Sequence, residues 1–444
     1  MNPITALEHL PADAHKGEWL NWSKMAEFEN QSPPVIVSGE GPYAIDKDGN
    51  RLLDGVSGLF TTQIGYSHGA EIGEAARVQL ETLSFYPNWA ATHPSALALT
   101  DRILGLAPDR MSRVLLTSGG SESVESAMKL VRQHFLAKGQ GLKRKIIARR
   151  GAYHGCTMGA LALTGIPLSR APFEPLDPNV RHAPNTHQRS CLYCHDKGGC
   201  QLTCADAIEQ AILAEGPDTV AAVVVEPIQN GGGLPPADGY GARIREICDR
   251  HGVLLWCDEV ITGFGRVGAW FASERLGFDA DIITYAKGIT SGYAPAGGVI
   301  FTEAVGAPLI EAEAMYAHGF TFGGHPLACA VALANIDIME RLDVIANVQA
   351  HEDAYAAAMQ EVAASSDLVV ETRGKGFYHS LELVDNALTA PVAGAVRKHG
   401  VIVRPDVRVK PMVVTSLPLI CTQEHIDELT GALKAALADV AAAS

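Results

Sequence analysis

The chain has 444 residues, enough for two or three domains or one large domain with a smaller partner. Hydrophobic residues make up 47% and charged residues 19%, a globular balance that excludes overall disorder. A formal net charge of −15 argues against nucleic acid or an anionic membrane as partner.

The opening "MNPITALEHLPADAHKGEWL" lacks the basic start and apolar core of a signal peptide. The longest apolar runs, such as "VAAVVV" and "VLLWC", are far shorter than a membrane span. A soluble, cytoplasmic protein is the expectation. Lys16 to Asn30 reads as a helix that ends before Pro33-Pro34. In "VIVSGEGPYAIDKDGNRLLDG", short β-type runs are separated by "GEGP" and "DKDGN", which predicts a small antiparallel element.

From about residue 66, helical stretches alternate with short, fully apolar strands: "RVLLT" (113–117), "KIIAR" (145–149), "VAAVVVE" (220–226), "VLLWCDE" (253–259), "DIITYA" (281–286) and "GGVIF" (297–301). Continuous rather than alternating hydrophobicity means that both faces are covered, as in a parallel or mixed sheet between helix layers. Helices fit between the strands, for instance Gly241 to Gly252, so the order is α/β. A long helix, "PLACAVALANIDIMERL", begins at about residue 328, and an α+β tail with strand pairs comes after it. The expected organisation is a large α/β domain over residues 66–328 and a small α+β domain built from both chain ends, 1–65 and 329–444. No internal repeat or low-complexity linker interrupts it.

Ligands of open α/β sheets bind beyond the carboxyl ends of the strands, so the residues just after each strand carry the chemistry. After "RVLLT" comes "SGGSESVESAMKLVRQHF", in which a glycine turn leads to Ser121 as N-cap and apolar positions 124, 127, 128, 131 and 135 mark one helix face. Such a turn is either a phosphate cradle or an ordinary capped turn. After "KIIAR", Tyr153 and His154 lie in "RGAYHG", where an aromatic either stacks on a planar ligand or decorates a surface turn. Glu226 ends one apolar strand and needs a partner or caps a helix. In "VLLWCDEVITGFGR", strand periodicity puts Asp258 and Val260 on one face and Glu259 on the other. An acid there is stable as an anion only with a cationic or hydrogen-bonding partner. Lys287 ends "DIITYAKGIT", 29 residues beyond Asp258, about one strand–helix–strand unit, so the two can meet at one sheet edge. Alone, it reads as a snorkelling lysine. Together, a phosphate cradle, a stacking aromatic, a strand-end acid and a strand-end lysine describe pyridoxal 5'-phosphate: its aldehyde takes a lysine, its ring nitrogen a carboxylate and its phosphate a helix N-terminus.

With "SGGSESVESAMKLVR", "AYHG", "EPIQNGGG", "CDEVITGFGR", "TYAKGIT", "GFTFGGHPLACA" and "GVIVRP" in that order, the sequence resembles class III, fold-type I aminotransferases, and among them the ω-transaminases of amine–pyruvate type. The resemblance spans most of the chain. It implies a homodimer with shared sites, or a pair of such dimers, a ping-pong Schiff-base mechanism, an amine donor and a keto-acid acceptor. It casts Lys287 as Schiff-base lysine and proton shuttle, and Asp258 as partner of the ring nitrogen. Val260 and Tyr153 would sandwich the ring, Gly120 and Ser121 hold the phosphate, and Glu226 support the ring hydroxyl, with His154 beside the cofactor. Thr321 would reach the neighbouring subunit's phosphate. Arg404 matches a mobile arginine that receives a substrate carboxylate, and Phe60, Phe85 and Trp89 would wall an apolar pocket.

Two departures matter. 4-Aminobutyrate and ornithine transaminases read "EPIQGE", whose second glutamate pairs with the mobile arginine; here that position is Gly231, which favours pyruvate over the alternative 4-aminobutyrate/diamine (2-oxoglutarate) type. Cys191, Cys194, Cys200 and Cys204, four of the nine cysteines, follow a C-x2-C-x5-C-x3-C spacing around His195. Zinc sites usually place a longer spacer between their pairs, so no metal is expected; a packing loop or redox-sensitive bridges are the other readings. The remaining five read as buried thiols. Rival functions are a mutase or decarboxylase on the same scaffold, which needs no keto acid, and a non-catalytic relative, disfavoured by the presence of Lys287 and Asp258. A nicotinamide enzyme is disfavoured because "SGGSES" lacks G-x-G-x-x-G.

Overall fold

The computed structural model describes residues 14–186, 191, 193–194 and 199–443. Three sheets organise it. The first holds β1 (Ile36–Glu40), β2 (Tyr43–Asp46) and β3 (Arg51–Asp54), the expected antiparallel element, with "DKDGN" turning β2 into β3. The central sheet takes β4 (Met111–Thr117), β5 (Lys145–Arg149), β6 (Val180–Ala183), β7 (Val220–Val225), β8 (Leu254–Asp258), β9 (Ile282–Tyr285) and β10 (Gly297–Thr302). The tail supplies β11 (Val369–Lys375), β12 (Tyr378–Leu383), β13 (Val401–Ile402), β14 (Arg404–Asp406) and β15 (Met412–Thr415).

The central order is β4-β10-β9-β8-β7-β5-β6. Strands β5 to β9 pair in parallel, and β10 runs antiparallel to both β4 and β9. Two reversals restore direction, so β4 points the same way as β9. The carboxyl ends of β4, β5, β7, β8 and β9 therefore share one edge of the sheet. Every residue of β7 is buried, as the unbroken run "VAAVVV" requires of a strand covered on both faces. Strand β6, "VRHA", carries too little apolar signal to be read in sequence, and it lies at the sheet edge.

The helix Gly120–Ala137 covers one face and buries Val124, Ala127, Met128, Val131 and Phe135, the stripe seen in the sequence. The long helix starts at Pro326, two residues before its expected position, because Pro occupies the first helical turn and His325 caps it. Both chain ends do share structure: β13 pairs in parallel with β3, Val401 opposite Leu53. Strands β11-β12-β15-β14 form the third sheet.

The helix expected at Lys16–Asn30 does not form. Only the 3-10 turns Ala14–Gly17 and Met25–Phe28 are present. Between them Trp22 adopts φ 55° and lays its ring 6.1 Å from that of Tyr153. A helical course interrupted by Gly17 and Ser23 yields to that tertiary contact. Among the described residues, no helix is long and apolar enough to cross a membrane.

Candidate active site

Five strand ends meet at a cavity of about 400 Å³. Gly120, Ser121, Tyr153, His154, Glu226, Asp258, Val260, Lys287, Phe60 and Arg404 all line it, so ten of the residues chosen from sequence converge.

The helix after β4 begins there. A Cβ on Gly120 would stand 2.9 Å from Val260 Cγ1, so only a glycine lets the helix N-terminus sit flush against that valine. Ser121 Oγ accepts from Cys156 N at 3.1 Å, which ties the turn after β5 to the same helix end. The free N–H groups of this first turn, with the helix dipole behind them, suit an anion.

Asp258 is 5% exposed yet fully engaged on one side. The ring of His154 donates from Nδ1 to its Oδ2 at 2.7 Å. Thr284 Oγ1 and Val260 N donate to Oδ1 at 3.1 and 3.2 Å, and Trp256 Nε1 donates to Thr284 Oγ1 at 3.0 Å. These donors hold both oxygens of Asp258 in place. Glu226 Oε1 accepts from Asn230 N at 2.9 Å, and burial raises its carboxyl above the ordinary range, against the pull of His154 and Arg149. Two buried polar atoms of this cluster, Glu226 Oε2 and His154 Nε2, have no hydrogen-bond partner among the described residues. Buried polar atoms are normally paired, so both fit a polar ligand in the cavity.

Lys287 stands one residue past β9, after Ala286, on a left-handed backbone, φ 48°. Asn335 holds that turn, donating from Nδ2 to the carbonyls of Gly288 and Ile289 at 3.0 and 2.9 Å. Burial pushes the lysine's pKa down to about 8; the Asp258 charge opposes the fall and Arg404 adds to it. A lysine so shifted is partly neutral near pH 7, as a nucleophile or proton carrier must be. Glu259 faces the other layer. Its carboxylate accepts from Ala272 N, Ser273 N and Thr262 Oγ1 at 2.5, 2.9 and 3.0 Å, capping the turn Ala272–Arg275, and burial raises its pKa to about 7. The adjacent acids thus do separate work on opposite faces.

The far wall comes from β14 and the residues after it. Arg404 lies 5.8 Å over the Phe60 ring, and Arg408 lies 5.4 Å over that of Tyr153. Arg408, Asn230 and Trp22 line the cavity without having been singled out in the sequence. Arg408 was legible: Arg-x-Asp-x-Arg alternates in strand fashion. Trp22 carried no such signal.

Three chosen residues stay outside. Thr321 is exposed, as are Phe85 and Trp89, at 37% and 60%. Phe85 sits 5.9 Å from Phe322, so the 85–89 and 319–325 segments form a neighbouring surface. Of the clustered cysteines, Cys191, Cys194 and Cys204 are buried and Cys200 is exposed, with no disulfide. Among the described residues no group of side chains is arranged to hold a metal. His195 lies outside the described residues.

Known proteins resemble this chain in sequence and fold. The profile "Aminotransferase class-III" matches residues 25–437. A probable aminotransferase of Mycobacterium tuberculosis is 44% identical over 91% of this chain and 90% of its own length. A putrescine–pyruvate aminotransferase of Pseudomonas aeruginosa is 34% identical over 98% and 96%. The crystal structure of an amine transaminase from an uncultivated Pseudomonas species, in its PLP-bound form, superposes with a TM-score of 0.91 at 34% identity, covering 96% of this chain and 99% of that one. The chain belongs to the class-III aminotransferases and is a transaminase of the α/β fold that family shares.

Proposed function

We propose that this transaminase uses pyridoxal 5'-phosphate to move an amino group from an amine or ω-amino acid to pyruvate. The observation that carries the reading is Lys287 and Asp258 lining one cavity with Glu226 Oε2 and His154 Nε2, which have no hydrogen-bond partner among the described residues, and with the helix N-terminus at Gly120–Ser121. When bound, the cofactor stores the electrons released as the donor's Cα–H bond breaks and carries the amino group between half-reactions.

The chain's residues supply the rest. Lys287, with its lowered pKa, takes the proton from the donor carbon and returns it at the other end of the transfer. Asp258, oriented by His154 and Thr284, holds a proton on the ring nitrogen. Ser121 and the N–H groups at Gly120 bind the phosphate, Val260 and Tyr153 enclose the ring, and Glu226 accepts from its hydroxyl. Phe60 offers an apolar wall, and Arg404 receives the carboxylate of alanine or pyruvate.

Gly231 supports the preference for pyruvate. A Cβ there would lie 1.9 Å from the Gly151 carbonyl oxygen and 2.8 Å from Val409 Cγ2, so no side chain from this position can neutralise Arg404. The exposed surface bearing Thr321, Phe85, Trp89 and Phe322 supports a homodimer in which Thr321 completes the neighbouring site. The proposal retains the division into a large domain (66–328) and a small domain from both ends, in a cytoplasmic enzyme.

An absorbance scan with a donor panel tests the reading. The holoenzyme should be yellow and bleach with alanine but not glutamate, and Lys287→Ala should abolish the bleaching. A colourless protein that takes up no pyridoxal phosphate overturns the proposal, as does turnover without a keto acid.

A further inference from the structure

Arg404 and Asp406 alternate on one face of β14, and Arg408 comes two residues after the strand ends. Both arginines line the cavity, and Asp406 is buried between them at 4% exposure. One carboxylate thus stands between two guanidiniums. It is not shared equally. Arg408 takes both oxygens: Nε donates to Oδ1 and Oδ2 at 2.9 and 3.1 Å, and Nη2 to Oδ2 at 2.5 Å. The backbone N–H of Arg408 donates to Oδ1 as well, at 3.0 Å. Arg404 comes no nearer than 3.8 Å, beyond hydrogen-bond reach. Arg408 is fixed further by the rings of Tyr153 and Trp22, at 5.4 and 6.0 Å, whereas Arg404, among the described residues, rests over the ring of Phe60 alone. The trio carries one uncompensated positive charge, and it sits on the less tethered arginine.

We infer that Arg408 is a specificity-determining positioning residue: by occupying both oxygens of Asp406, it prevents that carboxylate from locking Arg404 and leaves Arg404 for a substrate carboxylate. Bidentate guanidinium–carboxylate pairing is geometrically exclusive, so Asp406 cannot serve both arginines fully. Without Arg408, Asp406 has to close only the last ångström to pair with Arg404. The substrate class thereby favoured is the monocarboxylate keto acid or amino acid, bound through Arg404. This inference rests on Arg404 being the carboxylate receptor of the proposed function.

Holoenzyme variants separate the two ideas. Propionate binding, measured by calorimetry, reports the carboxylate site without turnover. Arg408→Gln should weaken propionate about tenfold and lower the ratio of kcat/KM for pyruvate to that for propanal by a similar factor. Adding Asp406→Asn removes the competitor, so the double variant should recover both values to within about threefold of wild type. A merely structural role would depress pyruvate and propanal alike and make the double variant worse. Unchanged propionate binding in Arg408→Gln, or a double variant as weak as the single one, overturns the inference and leaves Arg404 untouched. A wild-type holoenzyme that binds no propionate removes Arg404 as receptor, and the inference with it.

Discussion

Replacing Lys287 with methionine should stabilise the cofactor-free protein, and the size of the gain should depend on pH. The folded chain holds this lysine at a pKa of about 8, against 10.5 for the ordinary group. The unfolded chain binds the proton more tightly, so stability rises as pH climbs from 8 to 10.5, and the full cost applies below pH 8. At 1.36 kcal/mol per pKa unit, that cost is about 3 kcal/mol at pH 7 and about 1 kcal/mol at pH 10. Methionine fills a similar volume without titrating. Its packing differs from lysine's by a constant, which cancels when the two pH values are compared. The stability difference between variant and wild type should therefore shrink by about 2.5 kcal/mol from pH 7 to pH 10. Urea unfolding of both apoproteins, at matched protomer concentration, measures it. A difference of equal size at both pH values would refute the claim that burial of a charged amine governs this residue.

Other substitutions probe the frame around the lysine. Asp258→Asn should slow the amine half-reaction by about 100-fold or more, because the group proposed to keep the ring nitrogen protonated is lost; a fall below tenfold in a stopped-flow trace contradicts that role. Glu259→Ala strands two buried N–H groups and the Thr262 hydroxyl and should cost about 3–5 kcal/mol in urea unfolding, whereas a loss below 1 kcal/mol would deny the cap its weight. Gly231→Glu should lower the melting temperature rather than create a gate for Arg404, since its Cβ meets a backbone oxygen at 1.9 Å. A variant that melts like wild type and binds propionate more weakly would show that the position is open after all.

The central sheet was legible because its strands are buried on both faces and read as uninterrupted apolar runs. The two acids after "VLLWC" were legible too: period two separated Asp258 from Glu259 before either partner was known. What escaped were partners supplied from afar. Glu259 is satisfied by the first turn at Ala272 and Ser273, thirteen and fourteen residues on and without a sequence signature. Asn335 steadies the Lys287 turn from a helix whose pattern announces only its apolar face. Trp22 reached the cavity from a stretch that reads as helical, because local propensity says nothing about a ring seated on Tyr153. Thr321, Phe85 and Trp89 sit outside a cavity formed by one chain, which is where residues serving a second copy would stand.

The pairing of β13 with β3 sets the order in which a ribosome can finish this enzyme. Residues 51–54 leave the exit tunnel early and must wait for Val401 and Ile402 before their sheet closes. Arg404 and Arg408 emerge within seven residues of Val401. The strand ends that line the cavity are complete once Lys287 and the helix beginning at Pro326 have emerged, while Arg404 and Arg408 of its far wall arrive last. On the proposed function, a nascent chain stalled short of residue 400 would therefore present the lysine to pyridoxal phosphate with neither Arg404 nor Arg408 to choose what reacts there.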